Sequence, residues 1–349
     1  MSIPNTRRLP AEWAPQDAVM LTWPHPGTAW APQLAAVEQV YTELAQAITR
    51  HESLLVVCRD EAHREGIAGR LKAHGVEHVR FALAPSNDTW ARDHGPIGVY
   101  ERDRPRLLDF VFNGWGGKHA YVLDDAINAH LAEAGCFAAP MEHVDFILEG
   151  GAIDSDGAGS LLTTRHCLMT PTRNATLDEA AIEARLRALF GVSRILWLSH
   201  GELAGDDTDG HIDTLARFCD PGTIAYASCD DPDDEHFAGL AAMAEELRAL
   251  RQPSGAPYRL LPLPLPRAHH DATGQRLPAT YANFLIINGA VLVPTYEDSS
   301  ADARALGTLA EAFPDREIIG IGCVPLIQQY GSLHCVTMQL PAGSLVGMD

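Results

Sequence analysis

The chain has 349 residues, 46% of them hydrophobic and 21% charged, and carries 26 Lys and Arg against 46 Asp and Glu, a formal charge of −20. This is ordinary globular composition, long enough for two average domains or one large α/β domain. The acidic balance excludes a nucleic-acid partner, whose phosphates need Lys and Arg, and suits a protein that draws in small cations. The N-terminus, Met-Ser-Ile-Pro-Asn-Thr-Arg-Arg, lacks the apolar core of a signal peptide. The longest apolar stretch, 284–293, contains Asn288 and is too short to span a bilayer. Seven cysteines, at 58, 136, 167, 219, 229, 323 and 335, are scattered and include no Cys-x-x-Cys pair. They match neither a disulfide framework nor a structural zinc site, and a cytoplasmic location is expected.

A strand is expected over 18–23, then a helix over 31–50, where Leu34, Val37, Tyr41, Leu44 and Ile48 recur at steps of three and four. A strand at 53–58, a helix at 61–74 stopped by Gly75, and a strand at 78–83 follow. The couplet of a helix and then a β-rich run returns with 124–133 before 136–139. It returns again with 177–190 before 195–198, where Thr176 and Glu179 form a capping box and Gly191 closes the helix. The last two are 233–250 before 258–263 and 300–313 before 317–321. Further strands are expected at 96–100, 107–112, 147–153, 160–163, 215–218, 223–227, 284–287, 291–293 and 336–340. The spacing is too uneven for a fixed period. Alternating Leu and Pro over 261–266 marks an edge or extended segment. His269, His270 and Asp271 lie in a polar loop and are expected to be solvated rather than metal-bound. One domain, 1–349, is expected.

Four stretches carry more functional groups than packing needs. The first is Asn87-Asp88-Thr89-Trp90-Ala91-Arg92-Asp93-His94-Gly95-Pro96, a loop between strands. As a plain turn it would have Asp88 capping the backbone and Arg92 neutralising Asp93. The second is Ile147-Leu148-Glu149-Gly150-Gly151-Ala152-Ile153. A glutamate in a buried strand needs a partner, and paired glycines mark close approach of a backbone or ligand. Asp154-Ser155-Asp156-Gly157 after it reads as a hairpin turn.

The third is Gly205-Asp206-Asp207-Thr208-Asp209-Gly210-His211-Ile212-Asp213. If a strand starts here, His211 and Asp213 point to the same face. A general acid/base beside a carboxylate suits a cationic, hydrolysable substrate. The alternatives are a solvated acidic turn and a calcium loop, but Gly205 and Ala216 would fall at ligand positions of the latter. The fourth is Gln328 to Thr337. Six cysteines sit as small hydrophobes would, whereas Cys335 enters a strand straight after a polar turn, with His334 beside it. The Gly-x-Ser-x-Gly elbow, the Walker loop and His-Glu-x-x-His are absent from the sequence.

Together these stretches, in this order, resemble the agmatine deiminases of the bacterial-type peptidylarginine deiminase family of guanidine-modifying enzymes. Pro10-Ala11-Glu12-Trp13 and residues 20–24 also resemble that family's N-terminus, so the likeness covers essentially the whole chain. It implies an α/β fold, the five-bladed α/β propeller (pentein) of pseudo-fivefold ββαβ units. By motif, Cys335 resembles the nucleophile and His211 the general acid/base. Asp93 and Asp213 resemble the carboxylates that hold the guanidinium, and Glu149 the acid that orients the histidine. Trp90 resembles a pocket wall, Asp207 the acid associated with the distal amine, and Asn283 an asparagine near the site. Where many members have Asn-Ile-His-Cys, this chain has Tyr330-Gly331-Ser332-Leu333-His334-Cys335.

The resemblance implies hydrolysis of agmatine, a small cationic guanidine, to N-carbamoylputrescine and ammonia. The route is a covalent Cys-thiouronium, with no cofactor or metal, in putrescine formation. Free or peptidyl arginine is the alternative substrate. A non-catalytic guanidine binder, or a divalent-metal binder using Asp206–Asp213, is the alternative class. Neither nucleic acid nor membrane is an expected partner; a symmetric homodimer is.

Overall fold

The structure is a computed structural model that describes residues 7–347. Among the described residues the strands form five sheets, and helices connect them in a mixed α/β arrangement. One pattern recurs: a first strand pairs antiparallel with a second, the chain crosses over through helix, and a third strand pairs parallel with the second. Parallel pairing demands such a crossover, which is why each helix in the sequence precedes a β-rich run.

Four units are contiguous in the chain. Their strands are Ile97–Glu101, Arg104–Val111 and Met141–Ile147; then Ile153–Ser155, Ser160–Thr164 and Arg194–Leu198. Next come Ala216–Asp220, Thr223–Ser228 and Arg259–Pro264, then Leu285–Ile287, Ala290–Thr295 and Glu317–Gly322. The fifth unit joins the two ends of the chain: Thr337–Pro341 pairs antiparallel with Gln16–Thr22, which pairs parallel with Ser53–Cys58. Two strands lie outside the pattern, Val79–Leu83 on the edge of the fifth unit and Arg7–Arg8 against Ile97–Glu101. Gln16–Thr22 is central in its sheet and buried along most of its length, which explains its unbroken apolar run Ala18-Val19-Met20-Leu21.

The long helix is Leu34–Ile48, preceded by one 3-10 turn at Ala31–Gln33; Val37, Tyr41, Leu44 and Ile48 are fully buried. The helix at Glu179–Phe190 is capped differently from the sequence expectation, because Asp178, not Thr176, accepts from the Ala181 amide; Gly191 does close it, at φ +69°. The helix expected over 124–133 is two pieces, Val122–Asp125 and Ile127–Glu133. No strand forms at 136–139; the partner strand is Met141–Ile147. The run 147–153 is not a strand either. Gly150–Ala152 makes one 3-10 turn, so Glu149 sits at a chain break between two strands. Ile212–Thr214 is likewise a 3-10 turn, and His211 and Asp213 do not alternate along a strand. A hairpin does follow, but its turn is 156–159, because Asp154 and Ser155 are paired within the strand; the edge position of the Leu-Pro strand is as expected.

Candidate active site

The segment leading into the first strand of every unit carries one of the candidate site residues. Asp93 precedes Ile97–Glu101, Glu149 precedes Ile153–Ser155, and His211 and Asp213 precede Ala216–Asp220. Asn283 precedes Leu285–Ile287 and Cys335 precedes Thr337–Pro341. The repeated topology thus delivers residues up to 242 positions apart to one locus. Cys335 itself lies in the turn before its strand, two residues short of it.

Two of these residues, Asp93 and Cys335, reach a cleft whose lining also includes Trp90, Trp115, Asp207 and Tyr330, and the others lie buried behind them. Asn283 ties the thiol to one carboxylate: its Nδ2 lies 3.2 Å from both the Cys335 sulfur and Asp213 Oδ2, and its Oδ1 accepts from the His334 amide. The sulfur is 3.9 Å from Asp213 Oδ2. The other carboxylate, Asp93, accepts from the Trp115 indole at 2.9 Å and from the Gly151 amide at 3.1 Å, and its Oδ1 lies 3.5 Å from His211 Nδ1.

Gly151 shows why the sequence has two glycines here. A Cβ on it would fall 2.5 Å from His211 Nδ1, 2.9 Å from Asp93 Oδ1 and 3.2 Å from Asp213 Oδ2. Only a bare Cα lets three functional groups converge. Around this point Asp213 Oδ1 and both ring nitrogens of His211 are buried without a hydrogen-bond partner. Buried polar atoms are rarely left so, and next to a cleft they point to a place for a ligand's donors and acceptors.

The electrostatics point the same way. Burial chiefly, with Asp213 and Glu149 adding and His211 opposing, pushes Asp93 up to about 6. For His211, burial works against the charge, but Asp93, Cys167 and Glu149 outweigh it and raise the ring to about 10. Burial, then Asp213 and Asp93, raise the Cys335 thiol well above its ordinary value. A floor this rich in negative charge favours a bound cation, and a cation there would reverse the direction on both Asp93 and the sulfur.

Glu149 is fully buried, and both its oxygens accept from Arg173 Nε, at 2.8 and 3.0 Å. Its carboxylate, the Cys167 sulfur and a His211 nitrogen lie within 4.8 Å of one another. A metal could use that donor set, yet the Arg173 guanidinium already supplies the positive charge Glu149 requires. Cys167 is buried in the hydrophobic core, as a small hydrophobe would be, and lies beside His211 as well.

At the rim, Trp90 packs between Trp30 (centroids 5.6 Å) and Trp115 (6.4 Å). A Cβ on Gly331 would strike the Trp90 ring at 2.1 Å, so within the divergent Tyr330-Gly331-Ser332 run the glycine lies directly against that indole. Asp207 lines the cleft but is not free: His119 Nε2 is 2.6 Å from its Oδ2, and Lys118 is 3.5 Å from its Oδ1. Asp209 pairs with Lys118 and Arg173, and Asp206 caps Thr208 and Gly210, so each acid of this loop before Asp213 has a partner.

Several participants were not anticipated. Arg92 does not neutralise Asp93; it reaches Gln339 Oε1 and the His334 carbonyl. Trp115 sits at φ +55° among Gly114, Gly116 and Gly117, and a tryptophan inside three glycines was the available signal. Arg217, buried in an apolar strand, was another. Glu12, Arg173 and His334 carried no local signal beyond their motif neighbours.

The sequence matches the family described as Porphyromonas-type peptidyl-arginine deiminase over residues 8–341. It is 31% identical to the agmatine deiminase of Medicago truncatula, across 96% of both chains. Among solved structures, a Porphyromonas gingivalis protein provisionally assigned as an arginine deiminase is 54% identical, with a TM-score of 0.91 over 97% of this chain and 100% of that one. A C. jejuni agmatine deiminase, a cysteine-to-serine variant with substrate bound, is 39% identical with a TM-score of 0.89 over 96% of both chains.

Proposed function

The chain belongs to the Porphyromonas-type peptidyl-arginine deiminase family, and on that premise we propose that it is a hydrolase of amidine C–N bonds whose substrate is agmatine. It converts agmatine and water to N-carbamoylputrescine and ammonia. The observation that carries this reading is the cluster of partnerless buried atoms, Asp213 Oδ1 and both His211 nitrogens, beside a thiol and a second carboxylate.

A guanidinium is planar and delocalised, and two carboxylates can pair with its N–H edges and hold its carbon before the sulfur. Asp93 and Asp213 fill that role. The bound cation lowers the energy of the Cys335 thiolate, which its resting surroundings disfavour, so the thiol gives its proton to solvent as substrate binds. The sulfur adds to the guanidine carbon. His211, held protonated by its acidic neighbours, gives its proton to the departing nitrogen, which leaves as ammonia. The product of this step is a thiouronium on Cys335. The now neutral His211 takes a proton from water, which attacks the same carbon, and the C–S bond breaks to release the ureido product. Glu149, anchored by Arg173, orients the imidazole. Trp90 walls the cleft, Asn283 positions the sulfur, and Asp207 attracts the distal ammonium.

The fivefold recurrence of one strand pattern supports a five-bladed α/β propeller formed by one domain. The seven unpaired cysteines support a cytoplasmic location, and the described helices include none long and apolar enough to cross a membrane. A role in supplying putrescine follows from the product. Replacing Cys335 with Ala should reduce ammonia release from agmatine by about 10⁴-fold or more, as loss of a covalent nucleophile does. Wild-type turnover by Cys335→Ala would rule the mechanism out.

A further inference from the structure

We propose that Glu12 is a positioning residue of this site: acting through His334, it keeps Asp213 ionised and aimed at the substrate's guanidinium. The proposal rests on the reading of Asp213 as one arm of the guanidinium clamp.

His334 stands between two carboxylates. Its Nδ1 is 2.8 Å from Asp213 Oδ2 and its Nε2 is 2.7 Å from Glu12 Oε2. A carboxylate oxygen only accepts, so both ring nitrogens donate and the ring carries a positive charge. All three side chains are buried. Glu12 cannot swing away, because its Oε1 accepts from the Ile286 amide at 2.7 Å and its Oε2 also accepts from Arg217 Nη2 at 2.8 Å. The chain of contacts therefore fixes Asp213 through its Oδ2, which also receives Asn283, and leaves Oδ1 without a partner.

The charges close around this arrangement. Glu12, Asp154 and Asp213 are matched by Arg92, Arg217 and the charged His334. On the cleft side Asp93 and His211 act on the same group, and on the far side Glu52 and Arg316 face Glu12. If Glu12 loses its charge, His334 loses one of the two carboxylates that hold it. Asp213 then loses a charged donor and faces Asp93 with one cation fewer. Asp213 is held below the ordinary carboxylate range against burial, chiefly by His334.

Glu12, Arg92, Asp154 and His334 also line a second, small pocket, whose walls do not include Asp93 or Cys335. One end of the relay thus meets substrate and the other meets a separate space. A Glu12→Ala variant would open a carboxylate-sized hole into that space.

The test is steady-state turnover of agmatine by wild type, Glu12→Gln, Glu12→Ala and His334→Gln, from about pH 5 to about pH 9. At neutral pH, Glu12→Gln should raise KM about ten-fold, the size of one lost charge-assisted contact, while kcat falls less. The acid limb of kcat/KM should move up by about one pH unit. Formate should restore part of the KM of Glu12→Ala and leave wild type unchanged. Should the Glu12 variants prove insoluble, His334→Gln must show the same KM and pH shifts, since it cuts the link while leaving Arg217 its partner. A soluble Glu12→Gln with the wild-type KM and pH profile overturns the proposal. So does one whose activity is lost only in proportion to unfolded protein. A wild type that releases no ammonia from agmatine counts instead against the assigned function, so the two failures are distinguishable.

Discussion

The floor and the rim of the cleft hold similar residue types under opposite conditions. On the floor, Asp93, Glu149, His211 and Asp213 are almost completely buried. At the rim, Asp207, Lys118 and His119 have side chains 37%, 35% and 49% exposed and form an ion-pair cluster of their own. Charges on the floor interact at low effective dielectric and move each other's proton affinities, as Asp93 and His211 show. Charges at the rim are screened by water and salt, and each pair contributes little. On the proposed mechanism the chemistry rests on the floor, while the rim adjusts which cation enters.

Three substitutions or conditions would sharpen or break that contrast. The largest effect is expected from Gly151→Ala, which puts a methyl into the space shared by His211, Asp93 and Asp213. A misplacement of about 1 Å can cost on the order of 10²-fold in rate, so kcat should fall at least that far in a protein that still folds. A Gly151→Ala enzyme with near-normal kcat would mean that these three groups do not act together.

The next concerns pH. Folded Asp93 takes up its proton at about 6, above its ordinary 3.8, so its ionised form is disfavoured until a cation binds. In the free protein this group's contribution to stability is present below its ordinary value and lost as pH rises through about 6. Substrate needs the ionised form. KM for agmatine should therefore climb as pH drops below about 6, approaching ten-fold per pH unit. A KM that stays level down to about pH 5 would remove Asp93 from the clamp.

The smallest effect belongs to the rim. Asp207→Ala removes a carboxylate already shared with His119 and Lys118. A screened pair is worth about 1 kcal/mol or less, so KM should rise by about five-fold at most with kcat unchanged. A loss in kcat as large as that of Gly151→Ala would erase the distinction between floor and rim.

What the sequence made legible follows the same division. Asp93, His211, Asp213 and Cys335 stand in dense local motifs, and local density survives in a one-dimensional reading. Their geometry did not. His211 and Asp213 were expected on one face of a strand, yet a 3-10 turn brings them to the same point, because the turn at Ile212–Thr214 delays the strand to Ala216. Glu149 was expected inside a strand, but Gly150 and Gly151 break the chain beside it so that other side chains can approach. Contacts between distant segments were silent: Glu12 and His334 are 322 residues apart, and nothing near either announces the other. The helix-and-strand couplets were visible, whereas the pairing that unites the chain's two ends in one sheet was not.

The central claim is that the sulfur at position 335 attacks the guanidine carbon, and the most direct measurement is to trap the adduct. Enzyme mixed with agmatine, quenched in acid within one turnover and digested for mass spectrometry, should carry the mass of agmatine less ammonia on the peptide containing Cys335. No adduct under turnover, or an adduct on Cys167 beside His211 in place of Cys335, would contradict it.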